Sequence, residues 1–357
     1  MRRSILPLVL LLAGCAPHPR PALRDAASWL WSRQEADGGW HSPTYGLLRS
    51  GQALTPFVLD ALLRVPEDVY PQPRAQVERA LAFLRDHAQA SGALGMTDPD
   101  VPDYPNYATA LAVSAIARAH RDGWQAQVAP MVAYLRSQQF TEQNGWHPQD
   151  PVYGAWGMGG GRRRPPDTGH VDLSMTRYAL DALHAAGIPL DDSALPTARI
   201  FVERCQNPDG GYFFSTTEVD TNKAGQDGDH FRSYGTTTAD GILALLATGH
   251  RADDAHVVAA EKWLTSHHRG MAVPGFVGEA YQRWPNGLAF YYSAASALAF
   301  QALGGDADPS VADALRRTQR RDGSWANPEN LVKEDDPLIA TPFAVIALTT
   351  ARSAEGR

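Results

Sequence analysis

The chain has 357 residues, of which 44% are hydrophobic and 20% are charged, and its formal net charge is −7. Such proportions are typical of a soluble globular protein and exclude the charge-rich, hydrophobe-poor composition of a disordered chain. The acidic balance also argues against nucleic acid as a partner, because a nucleic-acid binder needs a basic face.

The N-terminal segment has the features of an export signal. Two arginines precede an apolar run, Ile5 to Leu12, that is too short to cross a bilayer as a helix. The Leu-Ala-Gly-Cys string ending at Cys15 resembles the bacterial lipobox, in which cleavage leaves the cysteine as a lipidated N-terminus. A plain secretory signal is the alternative. We predict a signal peptide over residues 1–14, a lipidated Cys15 with a proline-rich tether to residue 21, and attachment to a cell-envelope membrane outside the cytoplasm.

A short phrase rich in Gln, Gly and Trp recurs along the rest of the chain. Its full copies are Gln34–Trp40, Gln206–Tyr212 and Gln319–Trp325, and Gln139–Trp146 is a looser copy. The glycines in these phrases favour turns, because they accept positive φ without a Cβ clash. Each phrase follows an amphipathic stretch and precedes an apolar one, so the phrases mark a structural repeat.

Six amphipathic stretches alternate with six apolar stretches. The amphipathic ones should form half-exposed outer helices, and they are Ala22–Arg33, Arg74–His87, Ala126–Gln138, Leu195–Cys205, Ala255–His267 and Ser310–Thr318. The apolar ones should form buried inner helices, and they are Thr55–Arg64, Ala108–Ala119, Asp172–Ala186, Thr237–Thr248, Tyr291–Leu303 and Thr341–Thr350. We predict one all-α domain over residues 22–351, an α6/α6 toroid in which outer helices ring an inner barrel, followed by a tail over residues 352–357. An open α-solenoid is the alternative, but its loops would be shorter and more even.

The repeat resembles the QW motif of squalene and oxidosqualene cyclases. The pattern Leu-x3-Gln-x3-Gly-x-Trp occurs at Leu30–Trp40 and at Leu315–Trp325, and Gln206–Tyr212 is a close variant. The resemblance implies the α/α toroid that is shared by triterpene cyclases, protein prenyltransferase β subunits and bacterial prenyltransferase/squalene-oxidase-repeat proteins. The motif is structural, so it implies a fold and not a reaction.

The chemical motifs of those families are incomplete here. Class II cyclases protonate an alkene with an Asp-x-Asp-Asp motif, and strings such as Asp98-Pro-Asp100 and Asp227-Gly-Asp229 lack the adjacent pair. Prenyltransferases hold zinc with Asp, Cys and His, whereas Cys205 ends a predicted outer helix and is expected to be a small buried hydrophobe. We therefore expect no metal site and no cofactor.

The loops that lead from outer to inner helices should gather at one mouth of the barrel, and we look for the site there. Asp172 opens an apolar inner helix, either as its cap or as an acid in an apolar pocket, with His170 as its neighbour. Tyr234 is the second catalytic candidate, because its Ser-Tyr-Gly-Thr context resembles the bacterial repeat proteins. The other ligand-binding candidates are aromatic or charged residues near helix starts or in long loops: Trp156, as part of a glycine-rich lid, Asp229, His230, Trp284, Tyr291, Tyr292, Asp335 and Asp336.

Three classes of function remain open. The first is an isoprenoid-modifying or terpene-cyclase-like enzyme with a non-standard acid. The second is a toroid that binds a lipid or a partner without catalysis. The third is a carbohydrate-active barrel, which would use carboxylate pairs and aromatic stacking. The QW-type repeat favours the first two, so we expect an apolar pocket for a hydrophobic, lipid-like or isoprenoid-like molecule; the oligomeric state stays open.

Overall fold

The structure, a computed structural model, describes residues 20–98, 100 and 102–350. The predicted signal peptide, Cys15 and the tail lie outside the described residues. No helix within the described part of the chain is both long enough and apolar enough to cross a membrane.

The described residues form two concentric rings of helices. The outer helices are α1 (Arg20–Ser32), α3 (Arg74–His87), α5 (Trp124–Gln138), α7 (Ala194–Arg204), α9 (Ala255–His267) and α12 (Pro309–Thr318). The inner helices are α2 (Leu54–Leu63), α4 (Pro105–Ala119), α6 (Leu173–Ala185), α8 (Gly235–Ala247), α11 (Ala289–Ala302) and α13 (Pro337–Thr350), and a single turn, α10 (Trp284–Gly287), precedes α11. Each inner helix packs on the inner helices before and after it, and α13 packs on α2. The predicted all-α toroid is confirmed.

The two rings differ in how their helices are buried. Outer helix α3 buries a stripe, Val77, Ala80, Leu81, Phe83 and Leu84, and exposes its charged face. Inner helix α8 is buried continuously over its first eight residues, 235–242. A helix that is apolar all round is stable only inside the molecule, so the distribution of apolar residues determines which helices lie in the inner ring and which in the outer ring. A two-stranded hairpin, β1 (Gln226–Asp227) and β2 (His230–Phe231), interrupts the long loop before α8 and was not expected.

Each copy of the recurring phrase joins the outer helix before it to the inner helix after it and to the next outer helix. In the first copy the Trp40 indole donates to Leu30 O at 2.7 Å, and the Gln34 amide donates to Gln76 O of α3 at 2.8 Å. The backbone N–H of Trp40 donates to the hydroxyl of Thr55 at 3.0 Å. The last copy repeats this pattern between Trp325 and Thr341. The hydroxyls of these threonines therefore tie the phrase to the inner helices that follow it.

Helix α13 begins four residues before its predicted start at Thr341. Asp336 accepts a hydrogen bond from the backbone N–H of Leu338 at 2.9 Å, and Pro337 occupies the first helical position. An acidic cap followed by proline is a strong helix start. The N–H at the first helical position has no partner within the helix, and proline has no N–H to leave unpaired.

The looser copy of the phrase, which begins at Gln139, ends at Trp156 and not at Trp146. The Trp156 indole donates to Leu135 O at 2.7 Å, and the Gln139 amide donates to Gly154 O at 3.0 Å. Gly154 has a φ of +90°, and a Cβ there would lie 2.1 Å from Thr197 O of α7. An inserted loop, residues 140–153, separates the glutamine from its glycine, which explains why the sequence pattern pointed to the wrong tryptophan.

Candidate functional site

A cavity of about 520 Å³ opens at the N-terminal ends of the inner helices. Its wall is mostly aromatic and aliphatic, and it comes from every inner helix and from the loops that precede them. The aromatic members are Phe57, Tyr104, Tyr107, Tyr178, Phe214, Tyr234, Trp284, Tyr291 and Phe343. Such a concave, largely apolar wall with a few polar groups is the usual form of a small-molecule site.

Four of the candidates from the sequence line this cavity. They are His170, Tyr234, Trp284 and Tyr291. The rings of Tyr234 and Phe276 lie 5.3 Å apart, and Phe276 stacks on Trp284 at 6.1 Å. Phe276, which is not part of the wall, thus contacts two of the aromatic side chains that are.

Two other aromatic candidates do not face the cavity. Trp156 is fully buried in the packing between α5 and α6, so the lid that the sequence suggested is corrected to a structural repeat position. Tyr292 is also fully buried, and its hydroxyl lies 2.6 Å from Nδ1 of His268. Successive residues of a helix point about 100° apart, so Tyr291 and Tyr292 face different surroundings.

The charged loop candidates also lie away from the cavity wall. Asp229 and His230 are exposed at the β1–β2 hairpin and do not line the cavity. Asp336 is the buried cap of α13, and it accepts a hydrogen bond from Ser42 at 2.5 Å. Asp335 accepts a hydrogen bond from Tyr45 at 2.5 Å. These contacts give each member of the acidic pair a structural role.

Asp172 is the N-cap of α6 and the inner end of a chain of three polar side chains. One carboxylate oxygen accepts the N–H of Met175 at 2.7 Å, and the other lies 2.9 Å from Nε2 of His170. Nδ1 of the same imidazole lies 2.6 Å from a carboxylate oxygen of Glu218. Burial opposes protonation of His170, but the hydrogen bond and charge of Asp172, with the charge of Glu218, hold its pKa above the usual range. Asp172 itself is fully buried and does not line the cavity. Of these three hydrogen-bonded side chains, only His170 lines the cavity and can contact a ligand.

We expect Asp172→Asn to keep ligand affinity and to lower the pKa of His170. Asparagine caps helices about as well as aspartate, so the stability loss should be about 1 kcal/mol or less. The charge that favours the imidazolium would be gone, so the pKa of His170 falls. NMR titration of the imidazole resonances measures this, with His120 at the end of α4 as an internal reference. Lost binding at normal stability would instead give Asp172 a direct role in ligand handling.

The structure adds an acid that the candidate set lacked. Asp240 is fully buried on α8, and one of its oxygens accepts hydrogen bonds from Ser174 at 2.6 Å and from the Tyr291 hydroxyl at 2.5 Å. Its other oxygen has no hydrogen-bond partner among the described residues. Burial raises the pKa of Asp240 to about 6, although the charge of Arg177 acts against the shift. The signal in the sequence was a single acidic residue inside an otherwise apolar inner stretch.

Three further charged groups line the cavity. Glu334, one residue before the predicted acidic pair, accepts the backbone N–H of Tyr291 at 2.8 Å, and burial raises its pKa to about 7. The Lys223 ammonium lies 3.5 Å from the centre of the Phe214 ring, and burial lowers its pKa to about 8. Lys333 donates to the Tyr104 hydroxyl at 3.1 Å. Lys223 and Lys333 are two of the three lysines in the chain, so positive charge is available at this mouth.

A second cavity of about 310 Å³ lies at the C-terminal ends of the inner helices. Its charged residues are paired with one another: Asp60 accepts from Arg64 at 2.9 Å and from Arg118 at 2.7 Å, and Arg177 lies 2.9 Å from Asp181. Despite burial, the two arginines hold the pKa of Asp60 below its usual range. Among the described residues no cluster of His, Cys, Asp and Glu has the arrangement of a metal site.

Comparisons with known proteins match the fold and not the sequence. No protein-family profile and no curated protein matches the chain. Among solved structures, the type II terpene cyclase MstE from Scytonema, in complex with its substrate geranylgeranyl dihydroxybenzoate, is similar with a TM-score of 0.57 and 15% identity, over 93% of this chain and 96% of that one.

Two carbohydrate enzymes are as similar in fold. The unsaturated glucuronyl hydrolase from Bacillus sp. GL1 has a TM-score of 0.57 and 12% identity, over 92% of this chain and 94% of that one. A D-mannose isomerase has a TM-score of 0.56 and 9% identity, over 93% and 96% of the two chains. At such low identities the likeness concerns architecture and not chemistry. The chain is a single-domain α/α toroid, the architecture that it shares with a type II terpene cyclase and with these carbohydrate enzymes.

Proposed function

We propose that the toroid binds an isoprenoid-like lipid in the cavity at the N-terminal ends of its inner helices. The main support for this proposal is the composition of the cavity wall, which contains nine aromatic rings and aliphatic side chains such as Leu54, Leu111 and Ile339. Burying an isoprenoid chain against such a wall removes apolar surface from water, which contributes a favourable free energy of about 25 cal/mol per Å².

The same wall argues against a sugar. A carbohydrate presents hydroxyl groups on all sides, and each one that is buried without a partner costs about 1–3 kcal/mol. Several of the charged groups of the wall are already engaged: His170 with two carboxylates, Glu334 with helix α11, and Lys333 with Tyr104. The prenylated substrate of the MstE complex is consistent with the lipid-like class.

We propose binding rather than cyclisation as the activity. A cyclase acid must touch the alkene that it protonates, and Asp172 lies behind His170 with both of its oxygens engaged. We further propose that the protein acts at a cell-envelope membrane through a lipidated Cys15, on the strength of the Leu-Ala-Gly-Cys string. Persistence of fatty-acid labelling in Cys15→Ala would refute the anchor.

The binding proposal is tested with purified protein and two classes of probe. Isothermal titration calorimetry should detect binding of farnesol and geranylgeraniol and should detect no binding of cello- or chito-oligosaccharides. Ile339→Trp places a larger side chain in the cavity and should weaken prenyl-alcohol binding by about tenfold or more, which corresponds to about 1.4 kcal/mol.

The matched control is Leu190→Trp, which adds a tryptophan at an exposed site outside the cavity. It should leave the affinity unchanged. Binding of an oligosaccharide, with weaker binding in Ile339→Trp, would replace the lipid proposal by a carbohydrate one. Equal prenyl-alcohol affinity in both variants would place the lipid elsewhere on the protein.

A further inference from the structure

The inner end of the ligand cavity is closed by a ring of side chains. Five residues line both this cavity and the one at the opposite end of the barrel, and they therefore separate the two: Phe57, Leu111, Tyr178, Tyr291 and Phe343. Four of the five are aromatic. Tyr291 on α11 and Ser174 on α6 bring hydroxyl groups to the wall of the ligand cavity.

The two hydroxyls converge on one carboxylate oxygen. Ser174 Oγ donates to Oδ2 of Asp240 at 2.6 Å, and the Tyr291 hydroxyl donates to the same atom at 2.5 Å. Three inner helices, α6, α8 and α11, thus contribute one side chain each. Distances this short are typical of hydrogen bonds to an ionised oxygen.

This arrangement determines whether the floor of the cavity, formed by Ser174 and Tyr291, offers a ligand hydrogen-bond donors or acceptors. An ionised carboxylate only accepts hydrogen bonds, and a hydroxyl has one proton to donate. Because Ser174 and Tyr291 both give their proton to Asp240, each presents only lone pairs to the cavity. The pKa of Asp240, raised by burial to about 6 and held from rising further by Arg177, leaves it ionised at pH 8.

The packing of the barrel does not account for this acid. Asp240 is fully buried, and its second oxygen has no hydrogen-bond partner among the described residues. A buried carboxylate with an unpaired oxygen is costly, and a polar group of that kind calls for a reason other than stability. The reason that the geometry offers is the orientation of the two hydroxyls that face the ligand.

We propose that the cavity selects ligands whose buried end carries an O–H donor, with Ser174 and Tyr291 as the acceptors and Asp240 as the residue that positions them. The preferred class is then a prenyl alcohol or prenylated phenol rather than the corresponding ether or hydrocarbon. This inference rests on the proposed function, since it specifies the ligand of the same cavity.

The test uses two probes that differ at the terminal oxygen, which carries a hydrogen in farnesol and a methyl group in farnesyl methyl ether. At pH 8, wild-type protein should bind farnesol about tenfold more tightly than farnesyl methyl ether, because the ether leaves the floor acceptors without a donor. Tyr291→Phe should reduce this ratio to about threefold, since one acceptor remains. Tyr292→Phe is the matched control: it removes the same hydroxyl one residue further along, where the partner is His268, and should leave the ratio unchanged. Ser174→Ala gives the equivalent test if Tyr291→Phe does not fold.

Asp240→Asn tests the positioning role by adding a hydrogen-bond donor where wild type offers only acceptors. The amide N–H donates to one of the two hydroxyls and frees its proton for the cavity, so the floor gains a donor. The affinity for the ether should rise relative to that for the alcohol, and the ratio should approach one. Equal binding of farnesol and its ether to wild type would overturn this inference and leave the lipid proposal intact. Binding of neither probe would overturn both.

Discussion

Trp156→Ala is expected to lower the free energy of unfolding by about 3–5 kcal/mol, the usual cost of removing a buried tryptophan. The side chain is fully buried, and its indole holds the last turn of α5 through Leu135 O. Prenyl-alcohol affinity should be unchanged, because Trp156 is not part of the cavity wall. Urea unfolding followed by circular dichroism, with calorimetric titration of farnesol, measures both quantities.

Trp284→Ala is the matched control for this experiment. Trp284 lines the cavity and is only partly buried, so its removal should weaken binding and cost about 1 kcal/mol of stability or less. The two tryptophans are thus expected to separate stability from binding. A Trp156→Ala protein with wild-type stability and lost binding would restore the lid role that the sequence suggested.

Asp240→Asn is expected to gain stability relative to wild type as the pH rises from 4 to 8. Burial raises the folded pKa of Asp240 from 3.8 to about 6, with Arg177, Ser174 and Tyr291 lowering it and Asp181 raising it. A raised acid pKa stabilises the fold fully below the unfolded value, and that contribution is lost as the pH rises through the folded value. A shift of about two units corresponds to about 3 kcal/mol at 1.36 kcal/mol per unit.

The measurement is the difference in melting temperature between the variant and wild type at each pH, in which groups common to both proteins cancel. Asp122→Asn, which changes an exposed aspartate, should give a difference that does not vary with pH. A flat difference for Asp240→Asn as well would mean that its carboxyl is as easily ionised in the folded protein as in the unfolded one.

The order and class of the twelve helices that form the two rings could be read from the sequence, whereas the short helix α10 was not predicted. Both signals involved are local: the apolar stripe of a helix such as α3 and the Gln-Gly-Trp phrase that follows four of the six outer helices. The closed ring followed because six alternating pairs with long loops fit a toroid better than a solenoid. The resemblance to cyclase repeats held at the level of fold, and the solved structures show nothing finer.

The site could be predicted only in part. The mouth at the inner-helix N-termini was expected, and His170, Tyr234, Trp284 and Tyr291 lie there. Trp156 was misplaced because an inserted loop separates it from the glutamine with which it forms a repeat. The signals for Asp240 and for Glu334 were present as lone or adjacent acids, but nothing near them in the chain shows what they contact.

The sequence by itself therefore determined the architecture, because helical periodicity and turn glycines depend on neighbours within a few residues. Only the tertiary structure decided which side chains share the cavity. Ser174, Asp240 and Tyr291 lie on three different helices, and Asp240 is 66 residues from Ser174 and 51 residues from Tyr291 in the chain. Their meeting depends on the rotation and axial shift of each helix, which are set by packing around the whole ring. A one-residue change in that rotation would bring Tyr292 to the cavity in place of Tyr291, and no local pattern distinguishes the two.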